Sequence, residues 1–138
     1  MTITELQTRV ATALNGVQDL IQGGCKTFAE NSRDVYTLSN QWVNAGKVAI
    51  VIVTPDMTRN GSDPDSIPAE TQLVIQCSEK PQLSRAQSGV MTALDAAEMV
   101  MHSLDGSQFC WQSTRQTINA QSGVLTATVT FSTSILLS

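Results

Sequence analysis

The one histidine of the chain, His102, follows Glu98 by four residues and precedes Asp105 by three. On a helix those spacings put the three side chains on one face, and an imidazole beside a carboxylate is a common pairing for general acid–base chemistry. Such a pair also needs a nucleophile or a substrate held against it. No serine stands in a G-x-S-x-G turn, the strand-to-helix bend that exposes a nucleophile. With Met101 and Leu104 on the inward side of the helix, His102 is expected on its flank or in solvent. The sequence therefore assigns no catalytic residue and no enzymatic activity.

Other chemistry-bearing groups read in the same way. Gly23-Gly24-Cys25-Lys26-Thr27 sets glycines beside a lysine and a threonine. It lacks the G-x-x-x-x-G-K-[ST] spacing of a phosphate loop and follows a helix instead of a strand, so it reads as a helix stop. The cysteines, Cys25, Cys77 and Cys110, are far apart and form no C-x-x-C pair. They imply neither a zinc site nor a disulfide framework, and reduced thiols fit a cytosolic site of synthesis. Asp56, Thr58, Asn60 and Gly61 match positions one, three, five and six of a calcium-binding loop. That loop needs a bidentate glutamate at position twelve, where Ile67 stands; Pro64 occupies position nine, and a strand precedes the segment. Asp63, Asp65 and Glu70 add oxygens without making the spacing specific. No metal and no cofactor are expected.

The polar surface that surrounds these groups is mostly uncharged. Charged residues make up 14% of the chain, while Thr, Ser and Gln number 16, 14 and 12. Such a surface favours self-association over strong hydration. A net charge of −4 with no run of Lys and Arg argues against an electrostatic nucleic-acid footprint. Phe28, Tyr36, Trp42, Phe109, Trp111 and Phe131 are too scattered for a base-stacking platform. The longest apolar run, 48–53, is far short of the roughly 20 residues that cross a bilayer. Met1-Thr2-Ile3-Thr4-Glu5 has no basic-then-apolar leader.

The elements that must position any site follow from periodicity. Ile3, Leu6, Val10, Ala13, Leu14, Val17, Leu20 and Ile21 recur at helical steps, Thr2 and Glu5 have capping-box spacing, and Gly23-Gly24 end the helix. In 25–46, Val35, Tyr36 and Leu38 suggest the start of a strand, with Trp42 and Val43 closing it or forming a helical turn. Asn44-Ala45-Gly46 is a turn. Residues 47–54 read as a central strand buried on both faces, and 56–69 as a long loop. In 71–78, Leu73, Ile75 and Cys77 face one way and Gln72, Val74 and Gln76 the other. A second helix starts near Ser84 or Ser88 and ends at Asp105-Gly106, with Val90, Leu94, Ala97, Met101 and Leu104 as its apolar stripe. A hairpin closes the chain. Phe109, Trp111, Ser113 and Arg115 alternate with Cys110, Gln112 and Thr114; Asn119 to Gly123 turn; Leu125, Ala127, Val129 and Phe131 face inward.

This order predicts one α+β domain over 1–138: a two-layer sandwich of a mixed or antiparallel sheet with two helices packed on one face. A domain of 138 residues holds a core that needs no staples. The other sheet face is rich in Thr, Ser and Gln but includes Val74 and Val124, which makes it a candidate oligomer wall.

The helix ending at Gly23-Gly24, the strand Gly46-Lys47-Val48-Ala49-Ile50-Val51-Ile52-Val53-Thr54-Pro55, the long loop after it, the helix Ser88-Gly89-Val90-Met91-Thr92-Ala93-Leu94-Asp95-Ala96-Ala97 and the Thr-rich hairpin form a recognisable series. It resembles the tail terminator (tail completion) proteins of long-tailed bacteriophages. The resemblance covers most of the chain and rests on order and texture, not on a catalytic signature. It implies a homo-oligomeric, hexameric ring at the tail–head junction of a virion, synthesised in the host cytoplasm. The ring caps the tail tube, stops its polymerisation and joins it to the head connector. Its partners are copies of itself, the tail-tube protein and the connector or neck protein, with no membrane and with DNA only as passing cargo, for which an acidic lumen is suited. A closed ring uses two different complementary surfaces per subunit. The residues expected at such interfaces are Asp56, Arg59, Asp63 and Asp65 in the loop and Val74 and Val124 on the sheet. Another neck, head-completion or tail-tube component, or a small ligand-binding domain, are the alternative readings.

Overall fold

The computed structural model describes residues 2–31, 33–59, 67–106 and 108–137, with the backbone alone at 56–59, 67–69 and 134–137. Helix α1 (Ile3–Asn15) opens with the expected capping box: Thr2 Oγ1 accepts from the Glu5 N–H at 3.1 Å, and the Glu5 carboxylate accepts from the Thr2 N–H at 3.4 Å. It buries Leu6, Val10 and Leu14. The single helix expected to run to Gly23 is two. Gly16 caps α1, Val17 is extended, and α2 (Gln18–Gln22) restarts the helix and buries Leu20. Glycine is the costliest common residue in a helix interior after proline, and here the helix stops at it.

The largest correction lies in 25–46. No strand begins at Val35. Strand β1 is Cys25–Ala29, and Val35–Asn44 is helix α3. β1 pairs in parallel with β2 (Val48–Ile52), and parallel neighbours need a crossover connection; α3 is that crossover. It buries Val35, Ser39 and Val43, while Tyr36 and Leu38 are exposed. A serine in the middle of the inward stripe and large apolar residues outside it disguise the helix. β2 is buried at every position, as expected. Val48, Ile50 and Ile52 join the main core, and Ala49 and Val51 are buried on the opposite face, the side that α3 covers.

The segment expected as a loop is strand at both ends, β3 (Asp56–Arg59) and the start of β4 (Ile67–Glu79). Within β4, Thr71, Leu73, Ile75, Cys77 and Glu79 are buried, and Gln72, Val74, Gln76 and Ser78 alternate outward. The single turn α4 (Pro81–Ser84) leads to α5 (Ala93–Leu104), which starts later than the expected helix. Thr92 caps it, its hydroxyl accepting from the Asp95 N–H at 3.1 Å. Ala93, Ala96, Ala97 and Val100 face the sheet, and Leu94 is 39% exposed. Of the expected stripe, Ala97 is buried and Val90, Met101 and Leu104 pack half-buried against the same core, so Leu94 alone turns outward.

β5 (Cys110–Ile118) and β6 (Leu125–Leu137) form the expected hairpin, with a bulge between Trp111 and Ser113. The sheet order is β1-β2-β4-β6-β5, with β3 paired to β4 beyond the end of β2. The β1–β2 pair is parallel and all others are antiparallel, so the sheet is mixed and the class is α+β. α1 and α5 cover one face. Their core includes Leu6, Val10, Leu14, Ile50, Leu73, Ile75, Val129 and Phe131, and Phe109 meets Phe131 edge-on at 6.5 Å between ring centroids.

Candidate functional site

The sheet face away from α1 and α5 is only partly covered. α3 lies over its β1–β2 end, and the rest forms an open trough of about 610 Å³. Gln76 of β4 and Thr126 and Thr128 of β6 make its floor; Asn40 of α3 and the β5–β6 turn, with Asn119, Ser122 and Val124, make its walls. Apart from the apolar Val124 and Ile118, the lining side chains are neutral hydrogen-bonding groups. Val74 and Val124 both stand half-buried on this face, as the alternation in sequence implies. Asp56 and Arg59 are elsewhere, on β3, where their partners are Gln72 and Ala69 of β4. Asp63 and Asp65 lie outside the described residues.

His102 stands on the outer side of its helix. It is exposed on α5 and shares an open groove of about 440 Å³ with Leu94, Glu98, Met101, Asp105 and Trp111. Asp105 Oδ1 accepts from the Trp111 N–H at 3.0 Å, which ties the end of α5 to the start of β5. Among the described residues no hydrogen bond or ion pair joins His102 to a carboxylate, and no three His, Cys, Asp or Glu side chains gather as they would to hold a metal. Leu94 and Trp111, 39% and 41% exposed, make the groove apolar between its two acids.

At the other end of the sheet the structure gathers what the sequence keeps apart. Lys47 Nζ lies 4.3 Å from the Trp42 ring centroid, and Lys26 Nζ lies 5.7 Å from it and 5.6 Å from the Phe28 ring. Both are cation–π distances. Trp42 is held in place by its indole N–H, which donates to the Gly24 carbonyl at 3.1 Å. Gly24 has φ +80°, a conformation that glycine adopts freely. Lys80 Nζ donates to Asn44 Oδ1 at 2.6 Å, two residues further along α3.

Among the buried polar groups that went unread in the sequence, two tie elements together. Glu79 is fully buried; its carboxylate accepts from Ser84 Oγ at 2.7 Å and from the Ala93 N–H at the start of α5, with Arg85 Nε at 3.6 Å. It joins β4, α4 and α5, and the positive end of the α5 dipole suits its charge. The two-residue alternation Leu73, Ile75, Cys77 points to Glu79 as an inward position. Gln7 is the second: its Nε2 donates to the Ile52 carbonyl at 3.3 Å. Burial, and secondarily the Glu79 carboxylate, push the Cys25 thiol up to about 12. Burial also raises Cys77, so both are inert thiols, whereas Cys110 is exposed.

No protein-family model and no curated protein sequence matches the chain. Among solved structures it is similar to a chain of the virion of a native gene transfer agent (GTA) particle, with a TM-score of 0.65 and 15% sequence identity. The match covers 96% of this chain and 95% of that one. The likeness is one of fold and runs through nearly every element described above. No helix among the described residues is long and apolar enough to cross a membrane.

Proposed function

We propose that this chain is a structural protein of a phage-like virion that acts as a tail terminator: copies of it close into a hexameric ring that caps the tail tube and joins it to the head connector. The observation that carries the reading is the near full-length likeness of fold to a gene transfer agent virion chain, which agrees with the order of elements that resembles tail terminators. The molecular surface supports it. It carries a broad trough lined by uncharged side chains, and its large exposed apolar side chains include Tyr36, Leu38, Leu94, Trp111 and Ile118. Such a surface fits against other proteins. The work of the chain is assembly, with no substrate turned over.

Light scattering across a concentration series, with negative-stain imaging of the same samples, tests this reading. A discrete closed ring is expected. Tubes of unlimited length would make the chain a tail-tube component, and a monomer at every concentration would overturn the ring.

A further inference from the structure

We propose that neighbouring copies of the chain join head to tail, with the lysine–tryptophan knob at the end of α3 on one copy seated in the acidic, apolar-walled groove between α5 and β5 on the next. The inference rests on the ring reading and names its contact.

Lys26, Lys47 and Lys80 are the three lysines of the chain, and all three gather around Trp42 and Asn44 of α3. In a chain of net charge −4 this is a concentrated positive patch, and no ion pair among the described residues involves a lysine. Local carboxylates therefore do not account for it, and its aromatic centre gives it an apolar body as well as charge. The groove has the complementary character: Glu98 and Asp105 supply the negative charge, and Leu94, Met101 and Trp111 the apolar walls. Partly exposed tryptophan and aliphatic side chains bordered by charge are what interface cores are built from, and opposed charge fixes their register.

Position decides the occupant. The knob sits at the β1–β2 end of the sheet and the groove at the β5 edge, and the order β1-β2-β4-β6-β5 places these at opposite ends. One copy cannot fill its own groove. Two different, mutually complementary patches on opposite edges generate a heterologous contact, the kind that closes a ring. Strand pairing does not compete for the β1 edge, because the Asn15 side chain already occupies the Thr27 backbone there.

Charge reversal at an exposed position on either side, Lys26→Glu or Glu98→Lys, is expected to weaken assembly roughly tenfold or more in apparent dissociation constant by light scattering. Added salt should weaken the wild-type assembly. Mixing the two variants in equal amounts should restore assembly, because every contact then opposes a carboxylate to an ammonium group. Circular dichroism melting checks that each variant folds; Lys26→Gln and Glu98→Gln, with a smaller expected loss, replace a reversal that does not. A wild-type ring that no variant perturbs overturns this contact and leaves the ring reading standing. A wild type that never assembles overturns the ring reading and the contact with it. A labelled DNA duplex that binds the wild type and not Lys26→Glu would assign the lysines to nucleic acid and overturn the contact.

Discussion

The side-chain amide of Asn15 pairs with the backbone of Thr27 as a neighbouring strand would: the Thr27 N–H donates to Asn15 Oδ1 at 3.0 Å, and Asn15 Nδ2 donates to the Thr27 carbonyl at 3.1 Å. Thr27 is the middle residue of β1, the outer strand at that end of the sheet. An open strand edge is a template for unwanted pairing, and one asparagine from the last position of α1 closes it. Asn15→Ala strips two backbone groups of their partners and should cost about 1–3 kcal/mol in urea denaturation. It should also increase aggregation of the partly unfolded chain.

How far the sequence carries is visible around that strand. The buried strand at 47–54 and the closing hairpin were legible because β-branched runs and two-residue alternation are strong local signals. β1 and α3 were not. The inward stripe of α3 is Val35, Ser39 and Val43, so its apolar periodicity is broken at the centre while Tyr36 and Leu38 point out. Most of the α5 stripe was legible: Ala97, Met101 and Leu104 pack inward as expected, but the small Ala93 and Ala96 also face the core and Leu94 turns outward. The lysine patch could not be seen at all. Lys26, Lys47 and Lys80 are remote in the chain and meet only through the register that sets Lys26 opposite Ala49 and Ala49 opposite Ser78.

Glu79 and Arg85 should differ sharply on removal. The carboxylate is fully buried and satisfies Ser84 and the first N–H of α5, so Glu79→Ala leaves buried donors unpaired and should cost about 2–4 kcal/mol. The Arg85 side chain is 58% exposed at 3.6 Å from the acid, and Arg85→Ala should cost less than about 1 kcal/mol. Urea midpoints of the two variants check the contrast.

Glu30 links α3 to the end of β2. It accepts from the Tyr36 hydroxyl at 2.5 Å and from the Thr54 N–H at 3.1 Å. The Tyr36 bond first, and the Thr54 bonds after it, hold its carboxyl below the ordinary value of 4.5. A depressed folded-state value contributes stability that is present above the unfolded value and is lost as pH falls through the folded one. The bond to Glu30 raises the Tyr36 phenol above 10.0; that contribution is present below the unfolded value and is lost as pH rises through the raised one. Tyr36→Phe should flatten both limbs of a plot of urea midpoint against pH.

The cysteines should separate by reactivity. Cys110 is exposed, whereas Cys25 and Cys77 are buried with raised thiols, and the thiolate is the reacting form. In mildly alkaline buffer a chromogenic disulfide reagent should label one thiol of the native protein rapidly and the other two only on unfolding. Cys110→Ser should abolish the rapid phase.

Val74 tests the second sheet face. It is half-buried there, opposite Thr130 of β6. Val74→Asp should leave the fold intact by circular dichroism and weaken association in light scattering. Loss of the fold would mean that this face is core.

The long ladder between β4 and β6, running from Ile67 opposite Leu137 to Glu79 opposite Leu125, also sets the order of events in folding. The strand that completes the centre of the sheet is the last of the six to leave the ribosome, and although its hairpin with β5 is local, every rung it forms with β4 closes a long stretch of intervening polypeptide. Topologies of this kind nucleate slowly. The nascent chain must carry β4 with an unfilled side until β6 arrives, and in that interval a chaperone, or a low concentration of its siblings, keeps it from the wrong neighbour.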